Sequence, residues 1–278
     1  MHNYLPIILL ITVSLLAGCS TSPTKSNANQ SINKSKPYQL PDSSVYHGDI
    51  KDGLFHGQGT LSWRNGDKYT GKFQKGLFNG IGRMETASGD LYEGQFVEGL
   101  FHGTGIMTFS NGDQYHGHFE HDNFNGKGTF LFHNGDRYEG DFKDGDFSGL
   151  GKLLLNKQGV YRGEFAEGQF EGKGIYLFEN GRRYEGEFHQ GFFHGKGILQ
   201  FSTGSKYIGE FQYGKKQGKG KFSWPSGDYY IGLFEKDMKN GSGVCQIRSI
   251  ISNCFYKNDK LIKFGNGQKK NEDFRYRT

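Results

Sequence analysis

Residues 92–114 read YEGQFVEGLFHGTGIMTFSNGDQ, and residues 115–137 read YHGHFEHDNFNGKGTFLFHNGDR. Laid one above the other, the two stretches share Tyr, Gly, Phe, Phe, Gly, Gly and Asn-Gly-Asp at the same places. The tyrosine recurs every 23 residues without a slip, at Tyr46, Tyr69, Tyr92, Tyr115, Tyr138, Tyr161, Tyr184, Tyr207 and Tyr230. Self-similarity at a fixed spacing of roughly 20–50 residues means one supersecondary unit stacked many times. The architecture therefore follows from a single copy.

Each copy can be numbered from its tyrosine as slot 1. Slots 3, 12 and 14 are glycine in all nine copies, and slot 5 is Phe in eight, with Ile50 in the first. Slot 10 is Phe in seven copies and lysine in the last two, Lys216 and Lys239. Slots 16 and 18 are mostly large and apolar, as in Phe130 with Phe132 and Leu199 with Phe201. Period-two alternation makes both segments strands. Between them lies Asn-Gly-Asp, at Asn65-Gly66-Asp67 and Asn111-Gly112-Asp113, a strong hairpin signal.

Parity fixes the loop. A two-residue turn at slots 20–21 would set slot 17 opposite the next tyrosine and throw slots 16 and 18 to the other face. A three- or five-residue loop keeps the rings together, and a one-residue slip would invert every side chain. The odd loop is expected. Glycine at slot 3, between Tyr and Phe on one face, leaves room for flanking rings to lie over the backbone. The expected fold is all-β: a single elongated, twisted antiparallel sheet of stacked β-hairpins, one face aromatic and the other polar.

Composition agrees. Glycine supplies 45 of 278 residues, far above the usual level of about 7%. Aromatics reach 15%, while aliphatics are scarce, so a deep three-dimensional core is out of reach and ring-covered repeats are the alternative.

The two ends differ from the middle. Leu5 to Leu16 is almost wholly apolar and leads into Leu16-Ala17-Gly18-Cys19, which resembles a bacterial lipobox. That resemblance implies a lipoprotein signal peptide over 1–18, acylation of Cys19, and attachment to the cell envelope. Ser20 after the cysteine implies the outer membrane, facing the periplasm. Residues 19–41 are polar, without periodicity, and read as a flexible tether. The repeats occupy 42–252, and 253–278 reads as a degenerate capping module followed by a basic tail. Past Gly243 the pattern continues if one turn residue is deleted, placing Cys254 at slot 3. Cys254 then faces Cys245 at slot 16 across the final hairpin, and a disulfide is expected in an oxidising compartment.

Tyr-x-Gly-x-Phe-x-x-Gly-x-Phe-x-Gly-x-Gly on a 23-residue period resembles the MORN repeat, from residue 46 to about 252. The resemblance implies an assembly platform, with an extended partner held along an aromatic groove. The rings offered for that contact are Tyr92, Phe96, Phe101, Tyr115, Phe119, Phe124, Tyr138 and Phe142. An envelope protein is the expected partner, and cell-wall glycan or anionic phospholipid is the alternative.

Nothing points to catalysis. His56, His102 and His194 share slot 11, but copies two modules apart cannot converge on a metal, whose ligands lie about 2 Å away. His116 and His118 fall on the polar face, with His121 in the turn after them. The Gly-x-Gly tracts lack the helix that a phosphate cradle needs. The net charge of +5, with its excess in the tail, fits an end-cap that blocks the last strand better than a nucleic-acid surface. The chain is expected to be a non-enzyme without cofactor, metal or nucleic-acid ligand.

Overall fold

The computed structural model describes residues 37–265, so the leader and Cys19 lie outside the described residues. Within them the chain forms 21 antiparallel strands in one open sheet, with no helix. It divides into two compact units after Gly151, inside the strand Asp146–Leu155. Consecutive strands pair in sequence order within each unit.

The first copy shows the rule. Val45–Lys51 runs out and Leu54–Ser62 returns, joined by Asp52 and Gly53. Both turn residues have positive φ, 53° and 77°, the mark of the two-residue hairpin turn matched to strand twist. Leu54–Ser62 then pairs with Lys68–Gln74, with Leu61 opposite Tyr69 and Ser62 opposite Lys68. The loop between them closes with Trp63 N–H donating to Asp67 O at 2.9 Å and Gly66 N–H to Trp63 O at 3.1 Å. Gly66 takes φ 103° inside that loop. The odd loop keeps slots 1, 3, 5, 14 and 16 on one face, as parity requires. Each period thus holds two turns, a tight one at slots 7–8 and a longer one at Asn-Gly-Asp.

Where slot 8 is aspartate, the tight turn survives. Asp122 keeps φ 68°, and its Oδ1 accepts Phe101 N–H at 2.7 Å. Asp237 does the same for Lys216 N–H and Asp259 for Lys239 N–H. Aspartate tolerates left-handed backbone and hydrogen-bonds locally, so these substitutions cost little.

A bulge recurs in each inner hairpin. Gly48 pairs with Gly59 while Asp49 pairs with His56, leaving Gly57 and Gln58 extra. The tyrosine ring lies across this site, and its hydroxyl donates to the slot-4 carbonyl in every copy. Tyr46 reaches Asp49 O at 2.9 Å, Tyr115 reaches His118 O at 2.9 Å, and Tyr207 reaches Glu210 O at 3.0 Å. On the other face, slot-4 carboxylates accept the slot-13 N–H, as Glu164 does from Lys173 N and Glu187 from Lys196 N. Both polar groups at the bulge are satisfied, one from each face.

The rings form a repeating stack. Tyr92 lies on Phe101 with centroids 4.0 Å apart and meets Phe96 and Phe119 edge-on at 5.1 and 4.9 Å. Tyr184 lies on Phe193 at 3.7 Å and meets Phe188 and Phe211 edge-on at 5.1 Å. Offset and edge-to-face pairs each contribute about 0.5–1.5 kcal/mol beyond area burial. With the next copy's phenylalanine on one side and glycine backbone beneath, no register tyrosine is more than 1% exposed.

At the carboxy-terminal end, Cys245 and Cys254 are joined by a disulfide with Cα atoms 5.9 Å apart. The register corrects the expected geometry: Ser252 stands opposite Cys245, and Cys254 opposite Gly243. The bridge is therefore diagonal across the last full hairpin. Closing so short a loop removes unfolded-state entropy equivalent to roughly 2.5–3 kcal/mol. Reduction is expected to lower hydrogen-exchange protection of the amides at Cys245 and Tyr256 accordingly, while that of the amino-terminal unit stays unchanged. Equal protection with and without reductant would show that the bridge adds nothing.

Candidate binding surface

The stack leaves little aromatic surface at the positions the sequence suggests. Tyr92, Phe96, Phe101, Tyr115, Phe119, Phe124, Tyr138 and Phe142 are all buried, none more than 3% exposed. This corrects the expectation that they line an open groove. The reason is the flat lie of each tyrosine over two glycines, which brings the phenylalanines of neighbouring copies down onto it. These eight rings hold the sheet together, and a partner meets something else.

What remains open is slot 18, at the base of each long turn. In the amino-terminal unit Trp63, Phe109 and Phe132 are half-buried there, and in the carboxy-terminal unit so are Phe178, Phe201 and Trp224. The sequence marks slot 18 only as apolar. Its exposure follows from its place at the end of the strand, where the stack of slots 5 and 10 no longer reaches.

The turns carrying these rings are tied to one another. Asp67 Oδ1 accepts Ala87 N–H at 2.7 Å, Asp90 accepts Ser110 N–H at 2.8 Å, and Asp113 accepts His133 N–H at 2.7 Å. These three turn aspartates thus each latch the following turn. In the carboxy-terminal unit slot 22 is Gly159, Arg182 and Ser205 before Asp228 restores the latch to Arg248 N at 2.8 Å. Arg182 stands over the Phe178 and Phe201 rings at 4.9 and 5.5 Å, adding a cation to the open row.

Two lysines replace rings within the stack. Lys216 Nζ sits 5.8, 5.5 and 5.8 Å from the Tyr207, Phe222 and Phe234 centroids, and burial pushes its ammonium below the usual lysine range. Lys239 Nζ lies 5.0 Å from both Trp224 and Tyr256 and 3.4 Å from Asp259 Oδ1.

His116 and His118 are exposed on the polar face, and His121 is in a tight turn. His102 lies beside His118 and His121, with centroids 6.2 and 6.0 Å apart. Among the described residues no group of three His, Cys, Asp or Glu is arranged to hold a metal ion. No described helix is long and apolar enough to cross a membrane.

A scan of family models matches the MORN repeat at residues 46–68, 69–91, 92–114, 115–137, 138–160, 161–182, 184–206, 207–229 and 230–249. No curated protein matches this chain. Among solved structures, a mutant TCP10 domain of Danio rerio CPAP is 12% identical with a TM-score of 0.29, covering 84% of this chain and 99% of that one. The TCP domain of Drosophila melanogaster SAS-4, in complex with a proline-rich motif of Ana2, is 10% identical with a TM-score of 0.28, covering 76% and 97%. A streptogramin B lyase is 12% identical with a TM-score of 0.16, covering 82% and 86%.

Proposed function

The chain belongs to the MORN-repeat family, and from that premise we propose a non-catalytic scaffold, anchored by lipid on Cys19 in a bacterial cell envelope, that binds a protein partner. The observation that carries the binding part is the row of half-buried slot-18 rings, repeated at module spacing on latched turns. Exposed aromatics on a rigid frame mark contact sites more often than they decorate a surface. The anchor rests on the lipobox-like Leu16-Ala17-Gly18-Cys19 alone. With acyl chains at Cys19, the repeats need no affinity of their own for phospholipid.

Two measurements test this reading. Cys19→Ser is expected to move the chain from the membrane to the soluble fraction, and unchanged membrane retention would overturn the anchor. A photo-crosslinking residue at Phe132 or Phe178 is expected to capture a discrete protein in cells, whereas one at Glu139, exposed on the opposite face, captures none. The same adducts from all three positions would overturn the binding surface.

A further inference from the structure

The last junction of the repeat breaks the rule that holds before it. The long turns at Asp67, Asp90 and Asp113 each latch onto another long turn. The loop Trp224–Asp228 instead faces a final turn one residue shorter, in which Ile247 pairs with Ile250 around Arg248 and Ser249. Those two residues take φ 48° and 69°, a two-residue turn. An open notch of about 440 Å³ lies between the two turns.

Its lining has a particular chemistry. Trp224, Tyr229 and Tyr256 supply ring surface, while Ser226, Asp228 and Gln246 supply a hydroxyl, a carboxylate and an amide. The polar groups are fixed: Asp228 Oδ1 accepts Arg248 N–H, its Oδ2 accepts Ser226 Oγ–H at 3.0 Å, and Gln246 Nε2 donates to Gly227 O at 3.0 Å. Each keeps further capacity, since a carboxylate offers about four lone-pair sites and an amide carbonyl two. Lys239 beside Trp224 is paired with Asp259 at 3.4 Å, Lys221 Nζ stands 4.8 Å over the Tyr229 ring, and Asp228 is held by two hydrogen-bond donors.

A ligand that suits this lining has an apolar face for the rings and carries a rim of groups that both donate and accept. A pyranose meets both demands, its C–H face against the half-buried Trp224 and Tyr229 and its hydroxyls toward Asp228, Ser226 and Gln246. We propose that the notch between the last two turns is a saccharide-binding site. The disulfide braces it, because Cys245 precedes Gln246 and Cys254 lies two residues before Tyr256. This site requires neither the lipid anchor nor the protein partner.

Trp63 and Trp224 are the only tryptophans, so Trp63→Phe leaves Trp224 as a single indole reporter. Cellotriose, maltotriose and chitotriose are titrated against that variant, following tryptophan emission, and against the unmodified chain by calorimetry. Saturable binding of at least one is expected, with Trp224→Ala and Gln246→Ala each weakening it about tenfold, the scale of one lost aromatic or polar contact. Gln246→Ala keeps the test intact if Trp224→Ala disturbs folding. No saturable response to any of the three, or equal affinity in the Gln246→Ala variant, would overturn the site. Neither result bears on crosslinking from Phe132 or Phe178, so this site and the partner surface fail separately.

Discussion

Gly71→Ala is expected to destabilise the amino-terminal unit by about 3 kcal/mol or more. A Cβ at Gly71 would stand 2.6 Å from the Gly82 Cα and 2.7 Å from the Tyr69 Cζ. The first contact is with backbone, which cannot rotate away. The second is with a ring that is 0% exposed, edge-on to Phe73 and Phe96, and hydrogen-bonded to Lys72 O. Moving that ring disturbs the copies on both sides, so the cost exceeds that of an ordinary overpacked methyl. Gly99→Ala provides the comparison. Nothing lies within 4 Å of its added Cβ, and only the φ of 93° resists the change, worth about 1 kcal/mol. Urea unfolding followed by circular dichroism separates the two, and equal losses would show that crowding beneath the tyrosine is not what the glycine relieves.

Alkaline pH is expected to unfold the repeats steeply rather than gradually. Burial pushes the Tyr46 and Tyr230 hydroxyls up to about 12, and those of Tyr69, Tyr92, Tyr115, Tyr138, Tyr161 and Tyr184 higher still. An unfolded tyrosine ionises near pH 10. Below pH 10 both states keep the proton, and the stabilisation is fully present. Above it only the unfolded chain ionises, so stability falls as pH climbs toward the folded value. Each tyrosine in a cooperative unit removes about 1.4 kcal/mol per pH unit, and four together roughly 5 kcal/mol. Since domains are stable by about 5–15 kcal/mol, the loss of structure should fall between pH 10 and 12. Phenolate absorbance of the register tyrosines should then appear only with the loss of circular dichroism. A single smooth phenolate titration with the sheet intact would contradict this.

Much of the fold could be read from residues 92–137. Spacing alone defined the copies, alternation defined the strands, and parity chose an odd loop at Asn-Gly-Asp. The glycines at slots 3 and 14 were legible as room for rings, and the deletion near the end was legible from Cys254. The tight turn at slots 7–8 was less so, because residues as different as Asp52, Lys75, Tyr213 and His121 precede its second position. A two-residue turn constrains φ more than side-chain type, so no single motif announces it.

The binding surface was harder to read. Tyr92, Phe96 and their neighbours carry the strongest repeat signal because they do the packing, and packing removes them from solvent. Slot 18 varies among Trp63, Thr86, Phe109 and Leu155, which dilutes its signal, yet it is where rings remain reachable. Local periodicity reports which face a side chain joins; it cannot report what the next copy lays over that face.

The order of residues along the chain therefore settled the unit, its handful of fixed glycines and tyrosines, and the all-β sheet, since these follow from steric and pairing rules acting within about 23 residues. Only contacts between copies decided the rest: the stacking that buries the register rings, the aspartate latches 20 residues apart, the diagonal Cys245–Cys254 bridge, and the notch beside Trp224. Each depends on how strands and turns of neighbouring copies stand against one another, a relation that no single copy contains.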